Sequence, residues 1–290
     1  MSLRFTKMHG LGNDYIYIDA INQDLSGYDP ARLAVVLSDR HFGIGGDGII
    51  LIAPSQHHDF TMRIFNPDGS EAEMCGNGIR AFAKYVYEHG FTDQVNLSIE
   101  TAAGLIKPSL QVQDGVVSLV RVDMGPPRLN RADIPMEGQP ADQPVIGEQL
   151  AVGDETFVIT CVSMGNPHCV IFVDEITDEL VLGYGPQIEN HPVFPQRTNV
   201  EFVQVLGAHE ARMRVWERGA GETLACGTGA SAGTVAAILN GCCAAAVKMH
   251  LRGGGLGIEW REGESVFLTG PAAETFSGTV HPSLLRQAKA

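Results

Sequence analysis

The sequence predicts an α+β fold with two pseudo-symmetric domains, each a curved, mostly antiparallel sheet or barrel wrapped on a central helix. Three observations support this. A cysteine-containing segment occurs once in each half, runs of strand-forming residues outnumber helical patterns, and a helical pattern follows each copy of the segment. The chain of 290 residues is long enough for two domains with separate hydrophobic cores. We expect the active site in the cleft between them.

The repeated segment reads Met74-Cys75-Gly76-Asn77-Gly78 in the first half and Ala225-Cys226-Gly227-Thr228-Gly229 in the second. At the same offset, Arg63 aligns with Arg214 and Glu71 with Glu222 without a gap. Upstream, Gly12-Asn13 and Gly165-Asn166 each precede an apolar run. A whole unit of strand, loop and helix is therefore duplicated.

Runs of β-branched and aromatic residues, separated by Gly, Pro, Asn and Asp, predict the strands. In the first half they cover residues 15–19, 49–52, 60–65, 95–100 and 116–122, and residues 76–89 form the only long helical pattern among them. In the second half they cover residues 169–173, 200–205, 211–216, 245–251, 257–260 and 265–268, with helices at 227–239 and near 178–188. The helix at 227–239 is almost wholly small and apolar, which predicts burial on all sides.

Charge and cysteine usage exclude several classes of protein. The net charge is −14 with no basic cluster, which argues against nucleic acid as a partner. The N-terminus lacks the apolar core of a signal peptide, and the most apolar stretch, residues 230–247, is interrupted by Asn240 and Gly241, so we expect no membrane association. Six cysteines then indicate reduced thiols in a cytoplasmic protein, and no Cys-x-x-Cys or paired-histidine spacing predicts a metal site.

Each repeated cysteine stands at the start of a predicted helix, where the first backbone N–H groups have no partner inside the helix and the dipole adds partial positive charge. This position favours a thiolate and leaves N–H groups for a bound carboxylate. If both helix starts face one cleft, the two sulfurs lie on opposite faces of the carbon next to that carboxylate. Such a site can remove a proton from one face and return one to the other. That is the chemistry of a two-base racemase or epimerase without a cofactor.

At these residues the chain resembles the diaminopimelate epimerase family. The resemblance is carried by the cysteine segments together with KMHGLGND at 7–14, FNPDGS at 65–70, GNPH at 165–168 and ERGAGET at 217–223. It implies an isomerase that converts LL-diaminopimelate to the meso form, with no cofactor or metal, in the lysine and peptidoglycan pathways, commonly as a homodimer. It also implies that the C-terminal segment returns to the first domain. We therefore expect domains of residues 1–122 plus 273–290 and of residues 123–272, with the proline-rich stretch 125–153 as the crossover.

The resemblance also assigns roles to individual residues. It makes Cys75 and Cys226 the acid/base pair and His168 and Glu217 the groups that tune the two thiols. Its substrate-binding residues are Asn13, Asn66, Gly76, Asn77, Asn166, Asn199, Glu217, Arg218, Gly227 and Thr228. The planar guanidinium of Arg218 suits the distal carboxylate. One position departs from the family, because some members carry a substrate-contacting Gln where this chain has Gly48.

Other interpretations of the same residues stay open. A proline or hydroxyproline racemase or epimerase would share the architecture but offers no second carboxylate for Arg218. A thiol redox or binding protein would use the cysteines as a switch, although a redox pair needs adjacent sulfurs. A disulfide between Cys75 and Cys226 would be an oxidised, inactive form. The remaining cysteines, Cys161, Cys169, Cys242 and Cys243, are expected to be buried and unreactive.

Overall fold

The structure is a computed structural model that describes residues 3–73 and 75–289. Met74, which precedes Cys75 in the repeated segment, lies outside the described residues. The described residues up to Val122 and from Gly270 onward form one compact unit, and Asp123–Thr269 form a second. Each unit contains many strands and few helices, so the predicted α+β class is confirmed.

The elements are numbered along the chain. The strands are β1 (Leu3–Gly10), β2 (Asn13–Asp19), β3 (Ile49–Ala53), β4 (Phe60–Phe65), β5 (Glu71–Ala72), β6 (Ile99–Thr101), β7 (Gly104–Ile106), β8 (Ser109–Gln113), β9 (Val116–Asp123), β10 (Glu148–Val152), β11 (Glu155–Ser163), β12 (Pro167–Phe172), β13 (Asn199–Gly207), β14 (Glu210–Glu217), β15 (Gly221–Glu222), β16 (Ala246–Leu251), β17 (Gly254–Glu259), β18 (Phe267–Gly270) and β19 (Ala273–Val280). The helices are α1 (Pro30–Ser38), α2 (Gly76–Glu88), α3 (Gly185–Glu189), α4 (Gly227–Leu239) and α5 (Pro282–Leu285). Short 3-10 turns occupy Arg131–Asp133 and Arg286–Ala288, and a π-helical turn occupies Glu179–Tyr184.

The first unit is built on an open sheet with the strand order β19-β1-β2-β3-β4-β6-β7. The chain returns to this unit at its end, because β19 pairs antiparallel with β1. Helix α2 packs against β1, β2 and β19 and is buried from Asn77 through Val86. The helix therefore occupies the centre of the unit, and its first turn carries the first repeated cysteine.

The second unit repeats this topology. The pairs β11–β12 antiparallel, β12–β13 parallel, β13–β14 antiparallel and β14–β16 parallel reproduce β1–β2, β2–β3, β3–β4 and β4–β6 in the same order. The aligned charged residues form the same contact in both copies: Arg63 Nε lies 2.7 Å from Glu71 Oε1, and Arg214 Nε lies 2.7 Å from Glu222 Oε1. The duplication read from the sequence is thus a duplication of structure.

Helix α4 begins and ends where the sequence predicts. Its residues are nearly all small or apolar, and it packs against β11, β12, β13, β14, β16 and β17. A helix covered on every side needs small residues, because the surrounding strands leave little room. No described helix is long and apolar enough to cross a membrane.

Several local predictions were wrong. Residues 95–98 are not a strand; they make irregular hydrogen bonds, with Ser98 N–H donating to Asp59 Oδ2, and the regular strand begins at Ile99. The first half has a second helix, α1, whose cap Asp29 and first-turn Pro30 form a start signal that the apolar pattern alone did not reveal. Strands β1, β5, β7, β8, β10, β11, β15 and β19 were also missed.

The proline-rich stretch 125–153 does not act as a crossover, because it belongs to the second unit. Ile134, Val145 and Leu150 are buried in that unit's core. Cys161 and Cys169 are buried as expected, whereas Cys242 is exposed, because it follows the turn at Gly241 that ends α4.

Candidate active site

Cys75 is the N-cap of α2. Its backbone is extended (φ −140°, ψ 113°), and the N–H of Gly78 donates to its Sγ at 3.3 Å. The sulfur thus takes the place that a serine or aspartate oxygen usually takes at a helix start, where it satisfies a backbone donor of the first turn. The repeated Cys-Gly-x-Gly sequence therefore has a structural meaning, since it places a thiol on the axis of the helix dipole.

Asn13 lies beside this thiol, at the tip of the β1–β2 hairpin. Cys75 Sγ donates to Asn13 Oδ1 at 3.4 Å, and Asn13 Nδ2 donates to Asp47 Oδ2 at 2.7 Å. Asp47 is in turn paired with Arg40 at 2.7 Å. Because a carboxylate can only accept hydrogen bonds, Asp47 must face the Asn13 amide nitrogen, and this orientation presents the Asn13 oxygen to the sulfur.

Burial raises the pKa of the Cys75 thiol above its usual value. The Gly78 N–H, a hydrogen bond from the Tyr15 hydroxyl and the charge of Arg80 all act in the opposite direction. Burial and the neighbouring sulfur raise the pKa of Tyr15, so that its hydroxyl stays a hydrogen-bond donor. The helix start therefore favours the thiolate as expected, but burial outweighs its effect.

Cys226 occupies the equivalent position in the second unit. It is the N-cap of α4 with φ −121° and ψ 113°, and the Gly229 N–H donates to its Sγ at 3.3 Å. Thr228 Oγ1 lies 3.5 Å from the sulfur. The two caps have the same backbone conformation and the same hydrogen-bond length, so the duplicated segments build the same thiol position twice.

The surroundings of Cys226 differ from those of Cys75, because two carboxyl groups are nearby. Burial raises the pKa of Cys226 well above its usual value, and the negative charges of Glu217 and Glu201 raise it further. Glu217, at the end of β14, accepts hydrogen bonds from Thr223 Oγ1 and from the Cys226 thiol. Burial raises the pKa of Glu217 as well.

His168 joins this group from β12. It is fully buried, with Nδ1 2.7 Å from Glu201 Oε1 and Nε2 3.0 Å from Asn166 Oδ1. Asn166 Nδ2 donates to Thr228 Oγ1 at 3.3 Å, which fixes its oxygen toward the imidazole. With this orientation the Asn166 oxygen faces Nε2 of His168 while a Glu201 oxygen faces Nδ1. The hydrogen bond between Asn166 and Thr228 also ties Asn166 to the start of α4.

Arg218 is positioned by Asn199. Asn199 is 3% exposed; its Oδ1 accepts from the Arg218 N–H at 2.9 Å and its Nδ2 donates to the Pro167 carbonyl at 2.8 Å. The following turn is fixed by the buried Glu189, which accepts from the Gly219 N–H at 2.8 Å. Arg218 Nη1 donates to the Gln196 carbonyl at 3.1 Å. Both polar groups of Asn199 are occupied within the protein, so its assignment as a substrate ligand stays a prediction.

The structure brings most of the predicted site residues together within their own units. In the first unit Asn13, Gly76 and Asn77 lie at or beside the Cys75 cap; in the second, Asn166, His168, Asn199, Glu217, Arg218, Gly227 and Thr228 form one connected group with Cys226. Asn66 is different, because its amide donates to Ser70 Oγ at 3.0 Å within its own turn.

Sequence reasoning missed several residues that contact the predicted ones, namely Tyr15, Asp47 and Arg80 in the first unit and Glu189 and Glu201 in the second. The repeat offers no signal for Arg80, because the equivalent position in the second half is Ser231. Among the described residues, no group of three or more His, Cys, Asp or Glu side chains is arranged to hold a metal ion.

Comparison with known sequences points to one family. The sequence model described as "Diaminopimelate epimerase" matches residues 5–130 and 160–274. A diaminopimelate epimerase from Pelotomaculum thermopropionicum is 56% identical over 276 residues, which cover 95% of this chain and 98% of that protein. One from Methanococcus maripaludis is 48% identical over 279 residues, covering 96% of this chain and 99% of that protein.

Comparison with solved structures agrees on the fold. A hydroxyproline epimerase from Agrobacterium vitis with bound trans-4-hydroxy-L-proline superposes with a TM-score of 0.69 at 17% identity, covering 96% of this chain and 92% of that one. A methylitaconate-delta-isomerase superposes with a TM-score of 0.65 at 15% identity, covering 98% of this chain and 97% of that one. At these identities the likeness establishes the shared architecture only.

Proposed function

The chain belongs to the diaminopimelate epimerase family, and on that premise we propose that it interconverts LL- and meso-diaminopimelate by two-base proton transfer at the α-carbon. It is thus an isomerase of lysine biosynthesis, whose product also serves as a peptidoglycan precursor. The observation that carries the mechanism is the duplicated thiol cap. Cys75 and Cys226 each cap a buried helix and accept from the N–H three residues later at 3.3 Å.

The proposed reaction needs one thiolate and one thiol. The thiolate takes the α-proton and becomes a thiol, while the thiol on the opposite face gives its proton to the α-carbon and becomes a thiolate. The N–H groups at the starts of α2 and α4 hold the α-carboxylate and stabilise the negative charge that develops on it. In the reverse direction the two cysteines exchange roles, so that no net proton is consumed.

We assign the binding groups as follows. Gly76, Asn77, Gly227 and Thr228 bind the reacting carboxylate at the helix starts, and Asn13, Asn66, Asn166, Asn199, Glu217 and Arg218 hold the amino and remaining carboxylate groups. His168 and Glu217 adjust the two thiols. Supporting this, Asn13 reaches Cys75 while Glu217 hydrogen-bonds Cys226, and Asn166 contacts both Thr228 and His168.

Replacing Arg218 with Ala is expected to raise the KM for diaminopimelate by about 100-fold, because a charge-assisted pair with the distal carboxylate contributes roughly 2–3 kcal/mol. Steady-state kinetics in both directions measure this, and kcat should fall much less than kcat/KM. Arg212→Ala, an exposed residue of β14, the strand that Arg218 directly follows, is the matched control. An unchanged KM for the Arg218 variant would remove it from the distal binding site.

The proposed mechanism uses no cofactor and no metal. We therefore expect turnover to persist after extended treatment with EDTA and in the presence of hydroxylamine, which traps pyridoxal phosphate. Loss of activity that is restored by a divalent cation or by pyridoxal phosphate would contradict the thiol-only mechanism. The assay should contain a reductant, since oxidation of either thiol removes an acid/base group.

We propose that the protein acts in the cytoplasm as a homodimer, without nucleic acid or membrane partners. Size-exclusion chromatography with light scattering tests the oligomeric state. A monomer at working concentration would contradict that part of the proposal.

Substrate identity is tested by incubating the reduced protein with LL-diaminopimelate and, separately, with L-proline and trans-4-hydroxy-L-proline. Chiral chromatography should detect meso-diaminopimelate and no inversion of either imino acid. Inversion of an imino acid alone would assign the chain the reaction of a proline racemase or hydroxyproline epimerase instead.

A further inference from the structure

Arg80 is a fully buried arginine on α2, one turn after Cys75. Its Nη1 donates to the Gly76 carbonyl at 2.9 Å, its Nη2 donates to Asn77 Oδ1 at 2.8 Å, and its Nε donates to the Pro271 carbonyl at 3.3 Å. The guanidinium is thus fixed against the first turn of the helix by neutral acceptors. Two of the acceptors, Gly76 and Asn77, are proposed to bind the reacting carboxylate.

Arg80 has no carboxylate partner among residues 3–73 and 75–289, although it carries a charge in the interior. Other buried cations of the chain are neutralised: Lys84, one turn further along α2, pairs with Glu88 at 2.6 Å, and Arg131 pairs with Glu148. Burying a charge is costly unless an opposite charge lies nearby. Arg80 therefore favours negative charge on a group nearby.

Three ionisable groups near Arg80 or Cys75 are candidates for that charge. Burial raises the pKa of Tyr17 and of Tyr15 far above neutral pH, so both phenols stay protonated. Tyr17 in addition donates its hydroxyl proton to the Gly78 carbonyl at 2.9 Å. Of the three, the Cys75 thiol is the group whose ordinary pKa lies closest to neutral pH.

The second unit provides an internal comparison. Ser231 stands at the position equivalent to Arg80, and its Oγ donates to the Gly227 carbonyl at 3.0 Å, just as Arg80 Nη1 donates to the Gly76 carbonyl. The same backbone contact is made there without a cation. The side chains added around Cys226 are the carboxylates of Glu217 and Glu201 and the imidazole of His168, and one oxygen of the fully buried Glu201 has no hydrogen-bond partner among the described residues.

We propose that Arg80 is the counter-charge of the Cys75 thiolate, and that the free enzyme therefore rests with Cys75 as the thiolate base and Cys226 as the thiol acid. The inference rests on the proposed function and deepens it by assigning unequal roles to the duplicated caps. In the first step Cys75 S⁻ accepts the α-proton and Cys226 S–H protonates the opposite face. The free enzyme then holds Cys75 S–H and Cys226 S⁻, and exchange of a proton with solvent at each sulfur restores the resting form.

The charged and titratable groups around α2 agree with this assignment. Tyr15 and Tyr17 face the helix start from β2, and the Pro271 carbonyl precedes β19. On β1, Lys7 is paired with Asp14, and on β19, Glu274 contacts His89 at the far end of the helix. Burial lowers the pKa of Arg80 to about 10, so that the guanidinium stays charged at neutral pH. Its charge acts against the burial that raises the pKa of Cys75, whereas the carboxylates beside Cys226 add to the effect of burial.

The native protein without substrate tests the resting state directly. The reduced protein is treated with iodoacetamide for short times between pH 6 and 10, and the modification of Cys75 and Cys226 is quantified by peptide mass spectrometry. The midpoint of each pH profile reports thiolate formation independently of how fast the reagent reaches each sulfur. Cys75 should show the lower midpoint by at least one pH unit, and a lower midpoint for Cys226 would overturn the proposal.

Three variants test the role of Arg80. Arg80→Met should raise the midpoint of the Cys75 profile by about one pH unit or more and slow its alkylation about tenfold at pH values below the native midpoint, because loss of an adjacent cation raises a thiol pKa. Arg80→Lys, which keeps the charge, should recover most of that loss. Lys84→Met removes a buried cation that Glu88 already neutralises, so its Cys75 profile should stay within about twofold of native.

A merely structural role for Arg80 would lower the thermal unfolding midpoint of Arg80→Met while leaving the Cys75 profile in place, and that result would overturn the proposal. If Arg80→Met does not fold, the native profile and Arg80→Lys decide between the same outcomes. Because no substrate is used, a negative result here is distinguishable from failure of the epimerase assignment, which the turnover assay measures separately.

Discussion

Cys75→Ala and Cys226→Ala should each reduce epimerisation of diaminopimelate by at least about 10³-fold, equal to roughly 4 kcal/mol of transition-state stabilisation. The reason is that inversion needs proton transfer on both faces of the α-carbon, and each thiol serves one face. Chromatography of quenched samples measures how much the rate of meso-diaminopimelate formation falls. Circular dichroism should show an unchanged fold, since neither change adds volume to a helix cap.

The exchange of the α-proton with solvent in the two variants also tests which cysteine acts as the base. Cys226→Ala keeps the base Cys75, so it should still exchange the α-proton of the isomer that Cys75 attacks, with retention of configuration. Cys242→Ala removes an exposed thiol outside the site and should leave turnover unchanged. Epimerisation near the native rate in either active-site variant would end the two-base mechanism.

Gly48→Gln, which installs the side chain that some family members carry, should destabilise the first unit by about 3–5 kcal/mol. Gly48 has φ +147°, and an added Cβ would lie 2.3 Å from the Phe65 carbonyl oxygen and 3.0 Å from Tyr15. The Gly48 carbonyl also accepts from the Ile16 N–H at 3.1 Å, which ties it to β2. The backbone of this chain therefore excludes the substrate contact, and other groups must hold the ligand. Thermal unfolding measures the effect.

Gly104→Gln is the matched control, because Gly104 also has a positive φ, +114°, but an added Cβ there meets no atom within 4 Å. That variant should lose only about 1–2 kcal/mol from backbone strain. Equal unfolding midpoints for the two variants would show that the clash with Phe65 relaxes easily. The Gln could then be accommodated at Gly48 in this chain as well.

The elements that carry the thiols were predictable because their signals are local. The Cys-Gly-x-Gly segments, followed by helical pattern, predicted α4 at its observed bounds and α2 to within one residue. The alignment of Arg63 with Arg214 and Glu71 with Glu222 predicted a duplicated unit, and the two equal ion pairs confirm it. Two-residue patterns such as Gly12-Asn13 and Gly165-Asn166 located a hairpin tip next to Cys75 and a turn tied to α4.

The charge environment of each thiol was not predictable, because it depends on packing. Arg80 reads from the sequence as an ordinary surface residue of a helix, since arginine is rarely fully buried. Glu201 stands between Val200 and Phe202 in a strand and reads as an outward-facing residue, yet it lies against His168 and the start of α4. Strand β1 was missed for a related reason: Lys7 breaks its apolar pattern, but an ion pair with Asp14 allows Lys7 to be buried.

Duplication thus supplies two equal thiol positions, and the side chains around them make the positions unequal. A cation with no carboxylate partner in the described part of the chain lies near Cys75, whereas carboxylates lie near Cys226. Such a difference favours one thiol as the acid and the other as the base, because an adjacent cation lowers a thiol pKa and adjacent carboxylates raise it.

The measurement that tests the two-base mechanism most directly is proton NMR of the reduced protein with LL-diaminopimelate in D₂O at low conversion. The account predicts that the meso product carries deuterium at one α-carbon while the unreacted LL isomer keeps its protons, because Cys226 delivers a solvent-derived deuteron to the opposite face. Meso product that retains the original α-proton would contradict it, since a single base would then have carried that proton from one face to the other.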